Sequence, residues 1–136
     1  MPRAEFVSTR TLLEKLGVKA GAKVLLVGVS EEDFVNQLRS IQAELHDSET
    51  GTGFDAIFFR VESRAHLARL FELRELIKPN GTIWLLRRKG KGATLRESET
   101  MAAGKDAGLV DVKVVNFSET ESAEKFVIPV ALRGGS

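Results

Sequence analysis

The sequence contains no cysteine, and this absence excludes three kinds of chemistry. Without thiols the chain forms neither disulfides nor thiolate metal sites, and it has no thiol nucleophile. A reducing, cytoplasmic location is therefore the expected one. The two histidines, His46 and His66, have no partner at the H-x-x-x-H or H-x-E spacing that supplies metal ligands, so we expect no metal site.

An excess of one charge and long apolar runs are also missing. Twenty Lys and Arg residues face nineteen Asp and Glu residues, so the net charge of +1 gives no global attraction to nucleic acid or to an anionic membrane. No apolar run approaches the roughly 20 residues that span a bilayer, and residues 1–10 lack the apolar core of a leader peptide. We expect no membrane partner, no export and no nucleic-acid partner, and any charge-driven binding must be local.

The sequence instead shows a regular alternation of apolar strand patterns with amphipathic helix patterns. The predicted order is a short helix capped by Ser8 or Thr9, a strand at 23–27, a helix at 31–45, a strand at 54–61, a helix between 63 and 77, a strand at 82–86, a helix at 95–107, and strands at 111–117 and 125–132. In the first long helix, Ser30 stands three residues before Asp33, in a weak form of the capping box.

This order predicts an α/β fold, a three-layer sandwich. Aliphatic strands that alternate with helices are typical of an open, mostly parallel sheet covered on both faces, here with about five strands. The last two strands are joined by a short acidic turn, so they must form an antiparallel hairpin. Pro129 cannot donate to a ladder, so we expect it beyond its neighbour's end or on an edge strand. A length of 136 residues fits a single Rossmann-like domain over 1–136.

Several segments in this order resemble the class I S-adenosylmethionine-dependent methyltransferase fold. They are V-K-A-G-A-K-V-L-L-V-G at 18–28, F-D-A-I-F-F at 54–59, L-I-K-P-N-G-T-I-W-L-L at 76–86 and A-G-L-V-D-V-K-V-V at 107–115. G-L-V-D-V-K-V with the later E-K-F-V is also similar to a small uncharacterised bacterial family with a shortened form of this fold. The resemblance implies that these segments are the first, fourth and fifth strands and a closing hairpin of the sixth and seventh.

Two features that the methyltransferase resemblance implies are missing. The family's glycine-rich turn after the first strand is reduced to Gly28, which is followed by three acids at 31–33. Its ribose-binding acid after the second strand has only Glu44 and Asp47 as poor substitutes, since 31–53 is expected to hold one helix and one loop. Acids in the first turn of a helix also repel an anionic cofactor from its N-terminus. We expect no catalytic residue and no cofactor, with S-adenosylmethionine as the alternative.

The candidate ligand-binding residues are a turn and a set of cations, namely Gly28, Ser30, Arg60, Arg88, Lys89, Lys91, Lys113 and Lys125. Arg60 and the basic loop 87–91 follow strands whose carboxyl ends share one edge, where open α/β sheets bind ligands, so they are placed to bind a small anion. The structural alternatives are an ion pair of Arg60 with Glu62 or with the acids after Gly28, and a solvated loop. For Lys113 and Lys125 the alternative is a cross-strand salt bridge within the hairpin.

These patterns favour a non-catalytic methyltransferase-like module that acts through self-association or partner binding. An exposed sheet edge must be covered or paired, so we expect a homodimer. The alternatives are an S-adenosylmethionine-dependent methyltransferase with an atypical site, and a binder of small anions or nucleic acid that uses loop 87–91. A receiver domain fits less well, because Arg60 stands in the region of the acceptor aspartate.

Overall fold

The computed structural model describes residues 12–133, so the expected helix caps Ser8 and Thr9 lie outside the described residues. The helices are α1 (Leu12–Leu16), α2 (Glu32–Ser40), α3 (Arg64–Leu67), α4 (Leu70–Arg74) and α5 (Glu97–Asp106), with 3₁₀ turns at Gly90–Gly92 and Val130–Leu132. The strands are β1 (Lys23–Val27), β2 (Glu44–His46), β3 (Phe54–Val61), β4 (Ile77–Arg88), β5 (Val110–Asn116) and β6 (Glu121–Val127).

The strands form a six-stranded sheet in the order β2-β1-β3-β4-β6-β5. The first four of these are parallel, whereas β6 runs antiparallel to both β4 and β5. Buried aliphatic and aromatic side chains fill β1 and β3, as expected for central strands that are covered on both faces. The α/β architecture and the antiparallel end are confirmed, while the sheet has one strand more than the five expected.

The additional strand is β2, and it corrects the expectation that residues 31–53 hold only a helix and a loop. Helix α2 ends at Ser40 instead of continuing to residue 45, and Gln42 then adopts a φ of 60° that reverses the chain. Residues 44–46 next pair in parallel with 23–25 of β1. Three residues are too few for an alternating pattern, so only the ladder with β1 reveals this strand.

The segment between β3 and β4 also differs from the expected single helix. It forms the two short helices α3 and α4, and Ile77 already begins β4. Gly81 lies within β4, where an added Cβ would stand 2.8 Å from the carbonyl oxygen of Phe54. Only glycine permits this close approach to the start of β3. Pro129 lies after the last residue of β6, so it costs the ladder no donor.

Two apolar layers hold the helices against the sheet. On one face, buried residues of β3 and β4 meet α3, α4 and α5, through side chains such as Leu67, Leu70 and Leu73. On the other face, Phe58 and Trp84 meet Leu13 and Leu16 of α1 and buried residues of α2. Helices therefore cover both faces of the sheet, which confirms the three-layer sandwich.

A buried polar cluster ties α5 to the sheet beneath it. Glu124 of β6 is almost fully buried, and its carboxylate accepts hydrogen bonds from Nε of Arg87 at 2.8 Å and from the Thr100 hydroxyl at 2.6 Å. The Arg87 guanidinium also donates to the carbonyl oxygen of Leu95 at 3.0 Å. Since a buried carboxylate is stable only when it is paired and hydrogen-bonded, Arg87 serves the fold.

Gly104 lies where α5 crosses Phe126, and we expect Gly104→Ala to destabilise the protein. The new Cβ would stand 2.6 Å from Cδ1 of the fully buried Phe126 ring. Overpacking costs about 1–3 kcal/mol and outweighs the gain of about 1 kcal/mol in helix propensity. Urea unfolding measures the difference, and Ser98→Ala on the exposed side of α5 is the control. A Gly104→Ala protein as stable as the control variant would contradict this packing.

Candidate functional site at the carboxyl edge of the sheet

Strands β1, β3 and β4 end at the same edge of the sheet, and antiparallel β6 begins there. The turn after β1 starts at Gly28, whose φ of 76° places it in the left-handed region that favours glycine. Arg60 projects from the end of β3 beside this turn, because its Cβ lies 3.6 Å from the position a Gly28 side chain would take. Glu121 opens β6 opposite Arg88 of β4. The shared edge thus collects residues that are far apart in the chain.

Arg60 is the centre of a hydrogen-bonded network at this edge. Its Nε and Nη2 donate to the two carboxylate oxygens of Glu121, at 2.7 and 2.6 Å. Its Nη1 donates to the Gly28 carbonyl oxygen at 2.9 Å, and the guanidinium also pairs with Glu31. The structure therefore forms the expected ion pair with an acid after Gly28, and not one with Glu62. With two carboxylates bound, Arg60 offers no unpaired charge to an anion.

The network changes the proton affinity of its members. Partial burial acts to raise the pKa of Glu31, but the hydrogen bonds and positive charge of Arg60 outweigh it and hold this pKa below its ordinary value. The hydrogen bond to Glu121 is the largest influence on Arg60, and with the Glu31 pair it raises the pKa of the guanidinium despite burial. Both groups stay charged at neutral pH, so the network is an ion-pair cluster with one cation between two anions.

Two grooves open beside this network. The first, which we term the β3 groove, has a volume of about 490 Å³ and is lined by Gly28, Arg60, Glu62, His66 and Arg69 with the apolar Val27 and Phe59. The second, the β2 groove, has about 470 Å³ between α2 and β2. Its walls include the apolar Leu26, Val29, Val35 and Leu45 and the polar Ser30, Glu32, Arg39, His46 and Asp47. Both volumes lie within the range of about 300–1,000 Å³ that small-molecule sites occupy.

Asp47 is the functional candidate that the sequence undervalued. It directly follows β2, is exposed, and lines the β2 groove together with Ser30. Next to it, the His46 ring nitrogen Nε2 lies 2.6 Å from a Glu44 carboxylate oxygen. The position of Asp47 has meaning only once β2 is known to exist, because an acid at the end of a parallel strand faces the ligand-binding edge.

The basic loop is shorter than expected and its cations diverge. Arg87 and Arg88 belong to β4, and Arg87 is committed to the buried Glu124. Lys89 hydrogen-bonds Asn116 of β5 and therefore does not join Arg60. Lys91 is exposed within the 3₁₀ turn. Of the cations expected to cooperate with Arg60, only Arg88 shares a cavity with it, a small one of about 230 Å³ that also holds Glu31 and Glu121.

Lys113 and Lys125 lie away from this edge. They face each other across β5 and β6, and Lys125 Nζ stands 6.0 Å from the centroid of the Trp84 ring. The cross-strand salt bridge expected in the hairpin does not form, since neither lysine has an ion pair within residues 12–133. The structure thus divides the predicted ligand-binding residues between two separate places.

Neither a metal cluster nor a membrane span is found in the part of the chain that the structure describes. No group of three His, Asp or Glu side chains within residues 12–133 is arranged to hold a metal ion. Over the same residues, no helix has the length and apolar character to cross a bilayer.

Comparison with known proteins finds the same architecture in several methyltransferases. No family model and no curated protein matches the chain. A TehB-like S-adenosylmethionine-dependent methyltransferase from Corynebacterium glutamicum covers 93% of this chain and 93% of its own, with 12% identity and a TM-score of 0.58. The chain has a methyltransferase-like Rossmann fold. At this level of identity the likeness establishes the fold alone.

Two further solved structures support this assignment of the fold. The CcbJ methyltransferase from Streptomyces caelestis matches with 11% identity and a TM-score of 0.64, covering 85% of this chain and 87% of its own. A SAM-dependent methyltransferase from Aquifex aeolicus matches with 18% identity and a TM-score of 0.54, covering 86% and 88%. The methyltransferase-like fold expected from the segments at 18–28 and 76–86 is confirmed, with six strands in place of the five expected.

The ion pair between Glu31 and Arg60 predicts a specific dependence of stability on pH. Because the pKa of Glu31 is lowered by folding, its contribution is present at neutral pH and is lost as the pH falls through the lowered value. Glu31→Gln should therefore reduce the free energy of unfolding by about 0.5–1 kcal/mol at pH 7, a value set by the partial exposure of the pair.

The measurement is urea unfolding of wild type and variant at neutral and at acidic pH. The difference in the free energy of unfolding between wild type and Glu31→Gln should decrease as Glu31 becomes protonated. Glu119→Gln, in an exposed turn, is the control and should leave the stability unchanged at both pH values. A Glu31→Gln deficit of the same size at every pH would contradict the assigned ion pair.

Proposed function

We propose that the chain binds S-adenosylmethionine at the carboxyl edge of the sheet and is a methyltransferase-type protein with an atypical site. The observation that carries this proposal is β2, which lies parallel to β1 and places Asp47 at its carboxyl end beside the turn after β1. An acid after the second strand is the residue that the resemblance assigns to the ribose hydroxyls. The strand that the sequence did not predict between β1 and β3 is thus present, with three residues.

Size and lining of the β2 groove support this proposal. Apolar side chains, among them Leu26 and Val35, offer a surface of the kind on which a purine base is buried, and Ser30 and Asp47 supply polar groups at its rim. The left-handed Gly28 leaves the turn after β1 without a side chain, and it lines the neighbouring β3 groove. In this arrangement the Asp47 carboxylate accepts hydrogen bonds from two ribose hydroxyls.

Charge at the edge supports a cationic cofactor and opposes an anionic one. The exposed acids Glu32 and Asp33 lie in the first turn of α2, beside Glu31, and would repel a pyrophosphate. S-Adenosylmethionine carries a sulfonium cation and no phosphate, so the same acids attract it. When bound, the cofactor supplies an electrophilic methyl group, while the Arg60 network holds the turn after β1 in place.

A second candidate, the non-catalytic self-associating module, is favoured by β5. This strand is the outer edge of the sheet, and Val110, Val112 and Val114 are 40%, 52% and 52% exposed. Beyond β6, Val130 and Leu132 are exposed as well. An edge strand with unpaired backbone groups and exposed valines is a template for another strand. A lysine on an edge strand often prevents such pairing, but the Lys113 ammonium here donates a hydrogen bond to the carbonyl oxygen of Lys15.

The occupant that this edge fits is a second copy of the chain. Two β5 strands related by a two-fold axis run antiparallel and bury the same valines on both partners. Next to the strand, Leu109, Pro129 and Leu132 line a mostly apolar groove of about 500 Å³, which extends the surface available for contact. Self-association along β5 leaves the carboxyl-edge grooves open, so the two candidate functions are compatible.

Binding of S-adenosylmethionine is tested by calorimetric titration of the full chain. We expect dissociation constants in the micromolar range for wild type and a loss of about tenfold in Asp47→Asn, because two hydrogen bonds to a charged acceptor are weakened. Asp106→Asn, an exposed substitution in α5, is the matched control and should bind as wild type does. Absence of heat at about 1 mM cofactor would overturn the proposal.

Self-association is tested by sedimentation equilibrium at about 100 µM chain, a concentration that reveals even weak dimers. The expected mass is twice the 14.9 kDa of the chain. Val114→Lys should shift the protein towards monomer by placing like charges face to face across the two-fold axis. Phe71→Lys, which removes an exposed apolar side chain from α4, should leave the dimer intact. A wild-type protein that sediments as 14.9 kDa would refute the β5 interface.

A further inference from the structure

We infer that a further pocket, at the amino edge of the sheet, binds a small organic anion through Lys125, which lines it. The pocket has a volume of about 450 Å³ and lies between the loop at 17–22 and strands β4 and β6. Lys23 begins β1 at this end and Gly28 follows its other end, so the pocket is separate from the carboxyl-edge grooves. We term it the amino-edge pocket, and its function is independent of S-adenosylmethionine binding.

Strand register builds the cationic side of this pocket. Trp84 of β4 stands opposite Lys125 of β6, and Lys125 stands opposite Lys113 of β5. The three side chains therefore form one row across the sheet, on the face that also carries α1. The Lys113 ammonium reaches back over this face and donates to the Lys15 carbonyl oxygen at 3.2 Å. Backbone pairing thus places Lys125 in the lining of the cavity, with Lys113 next to it on the neighbouring strand.

The charge of this row has no counter-ion within the described chain. Elsewhere the cations Arg60, Arg69, Arg87 and Lys78 each have a carboxylate partner. At the row, burial together with the positive charges of Lys113 and Arg133 lowers the pKa of Lys125. A half-buried ammonium surrounded by like charge is unfavourable unless an anion joins it. An anion bound in the pocket would supply the opposite charge that Lys125 does not meet among residues 12–133.

Asp55 lines the pocket, and its carboxylate is already paired with a lysine. Asp55 accepts a hydrogen bond from the Lys23 backbone amide at 2.8 Å and another from Lys78 Nζ at 2.8 Å. Burial acts to raise the pKa of Asp55, but these two partners outweigh it and keep the carboxyl ionised. Asp55 is therefore paired with Lys78, and it forms no ion pair with Lys125.

The other lining groups define the class of ligand. Asn80 and Thr82 contribute an amide and a hydroxyl, while the fully buried Trp84 lies beneath the lysine row. A volume of about 450 Å³ exceeds that of a bare phosphate or carboxylate, so there is space for an organic remainder along the 17–22 loop. The chemistry fits a small molecule that carries a phosphate or a carboxylate group. A row of two ammonium groups is too short to follow a nucleic-acid backbone.

Trp84 provides a built-in probe of this site. The chain has one tryptophan and no tyrosine, so its intrinsic fluorescence reports Trp84 alone. We propose titrating the full chain with inorganic phosphate and, in a separate arm, with citrate, at constant ionic strength. A saturable change in emission is expected in at least one arm, and the arm with the tighter binding identifies phosphate or carboxylate as the recognised group.

Matched variants assign the response to the pocket. Lys125→Gln should weaken binding about tenfold or more, the loss typical of a charge-assisted hydrogen bond, whereas Lys113→Gln removes a charge next to the pocket and should weaken binding less. Lys91→Gln removes one charge from the exposed basic turn and should bind as wild type does. Without anion, Lys125→Gln should also unfold at a higher temperature than wild type, because it removes repulsion from Lys113.

A readout in the unaltered protein keeps the test independent of the variants. The pKa of Lys125, followed by NMR of its side chain, should rise when the anion binds, because an opposite charge favours the ammonium form. The inference is overturned by emission that follows ionic strength alone, by Lys125→Gln binding as tightly as wild type, or by a Lys125 pKa that does not move on addition of phosphate or citrate.

Discussion

The Arg60 guanidinium is the interaction on which the carboxyl edge depends. It bonds the two oxygens of Glu121, the carbonyl oxygen of Gly28 and the carboxylate of Glu31, so it joins β3 to β6, to the turn after β1 and to the start of α2. A planar group with five donors suits this geometry, which a lysine could not reproduce. Arg60 itself lines the β3 groove, and the β2 groove opens beside the turn after β1 that Arg60 holds.

The two ends of the sheet differ in charge, and this difference separates the two proposed sites. At the carboxyl edge Arg60 is outnumbered by acids, and the neighbouring first turn of α2 adds Glu32 and Asp33. At the amino edge Lys113 and Lys125 are without an acidic partner in the described chain. A net charge near zero therefore conceals two local fields of opposite sign, which suit a sulfonium cofactor at one end and an anion at the other.

Much of the fold could be predicted from the sequence because it is encoded locally. The aliphatic run of β1 and the alternation of strand and helix patterns predicted the layers, and the short acidic turn predicted the closing hairpin. β2 could not be predicted, since it has three residues and exists only through pairing with β1. This missing strand also affected the prediction of the site. Without β2, Asp47 is one acid in a loop, whereas with β2 it lies at the carboxyl edge of the sheet.

The sequence by itself determined the fold class, the absence of thiol chemistry and the candidate cations, because composition and periodicity depend on neighbouring residues alone. The tertiary structure decided which of those cations have a carboxylate partner. Arg60 and Arg87 are bound by Glu121 and Glu124, more than thirty residues away, while Lys125 forms no ion pair within residues 12–133 and lies near Trp84 and like charges. Such partners are set by strand order and register, which arise from long-range pairing that no local pattern encodes.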